Sequence, residues 1–315
     1  MGGPQVVTAD RVRLWGCAAT VLALATALAW ALAHPELSPA MAAVRAIADG
    51  SAVLTLGLAV VPWLDGPRHR GEVASRAARP LVAASAMWVI TELVRLVLSA
   101  AQAAATTVTR LPVGTAVEFV VSTTPGRSGL LSLTAATLVC VLATALRPTD
   151  GLLTVAAGVA ACGIAARVVI GHLAENTMGA VAIAVHALAA ALWCGTLAAL
   201  AVTVSARGQW ARVLPRFSQL SLYCMSALLI GGIAGALITI DSPRDLYASG
   251  YGRVLLAKIA VTATLLVLAW RNRSTWLPAA RTHRITAAQS RSKSLTEVAL
   301  MAVALTLAAA LTVTG

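Results

Sequence analysis

Residues 178–204, MGAVAIAVHALAAALWCGTLAALAVTV, contain no Asp, Glu, Lys or Arg. As a helix the run is about 40 Å long at 1.5 Å per residue, more than the roughly 30 Å of hydrocarbon in a bilayer. A soluble fold would have to cover it on every side. A bilayer accepts it as it stands, because a helix satisfies its own backbone hydrogen bonds there. The stretch therefore predicts a membrane-spanning helix. Runs of the same kind at 14–33, 41–63, 79–101, 127–146, 151–172, 217–240, 252–270 and 294–313 bring the expectation to nine spans. The fold class is all-α, a polytopic transmembrane helix bundle. Pro35, Pro39, Pro67, Pro80, Pro125, Pro148, Pro215, Pro243 and Pro278 are expected at or between the span ends, because proline has no amide to continue a helix.

The composition agrees. Of 315 residues, 59% are hydrophobic and 11% charged, against about 25% charged in soluble domains. The net charge of +12 sits in short connections and not on a basic face interleaved with aromatic rings, so no nucleic-acid partner is expected. Arg11 and Arg13 precede the first span, and Arg68, Arg70, Arg76 and Arg79 fill the second connection. Arg147 lies in the fourth, Arg207, Arg212 and Arg216 in the sixth, and Arg271, Arg273, Arg281, Arg284, Arg291 and Lys293 in the eighth. Nine spans put all of these on one side. The other side carries Glu36, Glu118, Glu175, Asp241 and Asp245. The positive-inside rule then places the N-terminus in the cytoplasm and the C-terminus outside.

The chain reads as a four-span region, 1–147, followed by a five-span region, 148–315. Residues 111–121 (LPVGTAVEFVV) are apolar but too short to span, and predict an interfacial or re-entrant segment on the outer side. Residues 11–33 also have the layout of a signal peptide; a retained helix is the expectation, because the apolar stretch is long for one. Cys17, Cys140, Cys162, Cys194 and Cys224 all fall inside apolar runs, which predicts packing and no disulfide framework.

Charges inside spans are costly and mark function by default. Arg45 and Asp49 are four apart in the second span, and Glu92 and Arg95 three apart in the third, so each pair can neutralise itself on one helix face. Arg167 and Lys258 are placed near outer helix ends, where they can snorkel. All six belong to the outer half. His34, Met41, His172, Glu175 and Met178 lie at its boundary, and His186 about 12 Å below the outer end of the sixth span. The inner half looks poor in polar groups beyond the loop arginines; Cys224 and Met225 there are read as packing. This asymmetry predicts an outward-facing cavity. The sharpest constellation is His172-x-x-Glu175-x-x-Met178 followed by His186, on helices joined by a short loop. Imidazole and thioether donors suit copper, Cu(I) above all. No nucleophile elbow, phosphate loop, dinucleotide fingerprint or HExxH pattern occurs, so no enzyme is expected.

Residues 171–280 resemble the copper-resistance CopD domain family. The resemblance rests on Gly171-His172, on His186 followed by Trp193-Cys194-Gly195, and on Arg216-Phe217-Ser218. It continues through Gly231, Gly232 and Gly235, Tyr251-Gly252-Arg253 with Lys258 beyond, Asn272-Arg273, and Glu297 opening the last span. Residues 1–145 match more loosely. The resemblance implies a bacterial cytoplasmic-membrane protein of copper homeostasis with copper as its ion. By carry-over it implies roles for His172, His186 and Trp193. Beside these, Met178, Glu175 and His34 are read from their position at the mouth as helping metal donors, and Arg45, Asp49, Glu92, Arg95, Arg253 and Lys258 as transport or structural support. The resemblance leaves open an extracytoplasmic copper carrier or a cytochrome-oxidase assembly partner. Some actinobacterial relatives fuse this module to a CtaG-type oxidase-assembly domain, so the chain is read as stand-alone or as the front half of such a fusion. Copper uptake is the leading expectation. Delivery to an oxidase without translocation is the alternative, and a haem redox protein a third, disfavoured by the unequal depths of His172 and His186.

Overall fold

The computed structural model describes residues 4–169, 177–239, 245–282 and 284–314, and every regular element among them is helical. The elements are α1 (Pro4–Ala33), α2 (Pro39–Val60, prolonged by a 3-10 turn, Val61–Leu64), α3 (Arg70–Ala103), the short α4 (Val113–Ser122), α5 (Thr124–Ala145), α6 (Asp150–Val168), α7 (Thr177–Thr203), α8 (Arg207–Thr239), the single turn α9 (Asp245–Ala248), α10 (Gly250–Arg281) and α11 (Ala287–Thr314). Among the described residues nine helices are long and apolar enough to cross a membrane, as the apolar runs predict. The basic connections share one end of the bundle. The other is the arginine-poor end.

α2 occupies the centre, packed by α1, α3, α6, α7 and α11. Its sequence explains why. Packing in lipid gains little from hydrophobicity, since the tails are as apolar as leucine, so close contact falls to small residues. The buried positions of α2 include Ala42, Ala46, Ala48, Ser51, Ala52, Thr55, Gly57 and Ala59. Its hydroxyls are satisfied within the helix, Ser51 donating to the Ile47 carbonyl at 2.7 Å and Thr55 to that of Ser51 at 2.8 Å. α2 meets α7 at a glycine pair. A methyl group on Gly57 would stand 1.9 Å from the Gly195 carbonyl oxygen, and one on Gly195 2.1 Å from that of Val53. The glycine of the Trp-Cys-Gly motif is thus a backbone-to-backbone crossing. Large side chains such as Leu24, Ile90, Leu131, Ile230 and Val267 point outward, as lipid contact requires.

Two sequence expectations are corrected here. Pro80, Pro215 and Pro278 do not end their helices; they lie inside α3, α8 and α10, which run past the apolar segments at the basic end. Polar contacts hold these extensions. Buried Asp65 accepts two hydrogen bonds from Arg212, both 3.0 Å, and Arg216 donates to the Leu64 carbonyl at 3.2 Å. Arg76 bridges Glu72 at 2.8 Å, Gln209 at 3.0 Å and Ser205 at 2.9 Å. Such pairing fixes the helices against one another and outweighs the single backbone bond each proline removes.

The second correction concerns polarity. The half toward the basic end holds a buried cluster: Asn272 donates to Glu297, Arg273 donates to the Ser218 hydroxyl at 2.6 Å, and Trp276 donates to Ser290 at 3.2 Å. α4 carries no buried residue and turns Val113, Val117 and Val121, one helical stripe, outward. That is the amphipathic form expected of an interfacial segment.

Candidate functional site

The charged residues that the sequence scatters over four spans converge on one cavity of about 290 Å³. Arg45 and Asp49 enter it from α2, Glu92 from α3, Arg167 from α6, His186 from α7 and Lys258 from α10. The lining reaches from Val168, Tyr251 and Thr312, near the arginine-poor helix ends, down to Trp88, Trp193, Leu265 and Met301. By helix rise Trp193 is about 24 Å from the start of α7, so the cavity ends near mid-bundle on a tryptophan floor. The outward-half asymmetry read from the sequence is a real space.

Glu92 is the electrostatic hub. It is 1% exposed, binds Arg95 on its own helix, and faces the Arg167 Nε of α6 at 3.6 Å. Arg45 and Asp49 pair more loosely at 3.9 Å. The expected i,i+3 and i,i+4 pairs are therefore present. Arg167 does not snorkel, however. It is 8% exposed and turned into the bundle, because Glu92 gives it a partner there.

His186 is held by α8. Its Nδ1 lies 2.8 Å from the Leu228 carbonyl oxygen, which can only accept, so Nδ1 carries the proton and the neutral ring leaves a lone pair on Nε2. The contact requires α8 to come close. A methyl group on Gly231 would stand 2.9 Å from the His186 Cβ, and one on Gly232 3.2 Å from its Cε1. The close approach expected of these glycines is therefore directed at the histidine ring.

Trp193 is 2% exposed and also borders a second, smaller cavity of about 40 Å³ toward the basic end. That space is lined by Ser218, Met225, Asn272, Arg273 and Glu297 as well. Trp193 is the wall common to both. Asn272 and Glu297 were visible in the sequence as polar residues of the resemblance. From sequence they sit beside the ends of the eighth and ninth apolar runs, where a polar residue needs no site to explain it.

Of the expected metal residues, His172 and Glu175 lie outside the described residues, as does the Met178 side chain. His34 is exposed at the end of α1, packs edge-on against Trp30 with centroids 5.0 Å apart, and does not line the cavity. Arg253 donates to the Leu32 carbonyl at 2.7 Å and ties α10 to α1. Cys194 and Met301 line the cavity beside His186. No cluster of three or more His, Cys, Asp or Glu suited to a metal occurs among the described residues. All five cysteines are free.

The arrangement defines a multi-pass membrane protein with a charged, histidine-bearing cavity in one half of its bundle. Residues 211–311 match the family described as Copper resistance protein D, and residues 34–182 match its companion, Copper resistance protein D-like, N-terminal domain. The chain belongs to the copper-resistance CopD family and is a copper-handling membrane protein of that kind. No curated protein matches it, and no solved structure does.

Proposed function

We propose that this protein is a copper carrier and not an enzyme, taking copper ions up from outside across the bacterial cytoplasmic membrane. The observation that carries the reading is the cavity itself. It extends from the arginine-poor helix ends to mid-bundle and contains His186, whose Nε2 lone pair is left free by the bond from Nδ1 to Leu228. The Met301 thioether and Cys194 thiol in the same lining add soft donors of the type Cu(I) prefers. Copper is the cargo, and an incomplete ligand set suits a cargo that must leave again. His172, with Glu175, Met178 and His34, would receive the ion at the mouth before His186. A second reading, delivery to an oxidase-assembly partner without translocation, draws support from the tryptophan floor at Trp88 and Trp193.

Copper accumulation in cells or vesicles separates the two. Wild type should raise internal copper, and His186→Ala and His172→Ala should each lose most of that gain while still inserting in the membrane. Binding of copper with no accumulation by wild type would discard uptake and leave delivery.

A further inference from the structure

The charges around the cavity do not balance. Among the described residues, the lining sets Arg45, Arg167 and Lys258 against the carboxylates of Asp49 and Glu92, with His186 and Cys194 on α7 and Tyr251 on α10 the other titratable neighbours, while Arg95 lies outside the lining on Glu92. Arg95 donates to one oxygen of Glu92, and Arg167 faces the same oxygen only at 3.6 Å. The buried Nε and Nη2 atoms of Arg167 and the Nε of Arg45 have no hydrogen-bond partner. Lys258 likewise makes no side-chain hydrogen bond or ion pair with the described residues. Unpaired cations at this depth are expensive. A lysine can shed its proton, but a guanidinium does not. Counting Arg95, which binds Glu92 from behind the lining, three arginines stand against two carboxylates and keep the cluster positive even with Lys258 neutral.

We propose that this cavity is a binding site for a small anion, of chloride to carboxylate size, held between Arg167, Arg45 and Lys258. Arg167 supplies unused donors at the wall, Lys258 adds a charge from α10 in the same lining, and about 290 Å³ leaves room for the anion with waters around it. The site does not depend on copper. It also answers a difficulty of the uptake reading, on which this one point rests. A bare Cu(I) would enter a positive lining, whereas a copper ion accompanied by an anion would not meet that repulsion.

The test uses the full chain in detergent or nanodiscs, first without copper. Melting is compared in sodium chloride or bromide and in sodium gluconate, too bulky for the cavity, at matched ionic strength. The proposal expects chloride or bromide to raise Tm by about 3 °C or more, since a ligand that binds only the folded state stabilises it. Arg167→Gln and Lys258→Gln should each remove most of that rise. Should Arg167→Gln fail to fold for want of its Glu92 contact, Lys258→Gln, which breaks no ion pair among the described residues, decides alone. Equal melting in the two salts, or an undiminished rise in Lys258→Gln, overturns the site. So does bromide located by anomalous scattering on the outer surface but not in the cavity, an adventitious ion only. Copper affinity is then titrated against chloride. An affinity that rises with chloride, reciprocally with chloride's own, supports a shared cavity. A copper affinity independent of chloride removes copper from this cavity and leaves the anion site standing on the first arm.

Discussion

Asp65 lies outside the spans, and its partner is far along the chain. Burial by itself would push its carboxyl up, but the hydrogen bonds from Arg212, the bond from the Gly66 amide and the Arg212 charge outweigh that and hold it below its ordinary value of 3.8. A lowered carboxyl contributes stability that is fully present above the unfolded value and is lost as pH falls through the folded one. Asp65→Asn should therefore cost about 1–2 kcal/mol at pH 6, a modest figure because Arg212 is partly exposed. Its Tm should draw toward that of wild type as pH falls from 3.8 through the lowered folded value; a gap that does not narrow at all on acidification would show that another effect is being measured. Glu92 sits at the opposite extreme of burial. Glu92→Gln strands Arg95 and Arg167 and should destabilise by about 3–5 kcal/mol, the usual consequence of leaving a buried charge unpaired. The double variant Glu92→Gln/Arg167→Gln should recover part of the loss in a melting comparison, whereas simple additivity would mean that the α3–α6 contact carries no coupling.

At the scale of elements, the nine spans were legible because each is a run with hardly a charge in it. Their ends were less so. Hydropathy marks where lipid stops, while α3, α8 and α10 stop where their polar contacts stop, beyond Pro80, Pro215 and Pro278. The site divides in the same way. Arg45–Asp49 and Arg95–Glu92 could be read from spacing on one helix, but the inward turn of Arg167 could not, because spacing says nothing about which helices meet. The same limit hid Asn272–Glu297, whose members lie on α10 and α11. The crossing of α2 and α7 gives an element-scale prediction. Gly57→Ala or Gly195→Ala places a methyl group about 2 Å from a carbonyl oxygen of the facing helix, which neither backbone can absorb without separating. Each should sharply reduce the yield of folded protein in size-exclusion profiles. Gly151→Ala, with nothing within 4 Å of the added atom, should not.

For the molecule as a whole, the two cavities lie one above the other, with Trp193 bordering both. The upper is charged and reaches the arginine-poor end. The lower is bounded by Glu297, Asn272 and Arg273 in the half toward the basic connections. In electrical terms, the Trp193 ring is part of the insulation between these compartments. On the uptake reading, keeping protons and sodium from following copper depends on that ring staying in place. Trp193→Ala should join the voids and make vesicles leaky, so that an imposed pH gradient decays several-fold faster than with wild type, read by a trapped pH dye. Phenylalanine at the same position, still broad enough to close the gap, should keep the gradient.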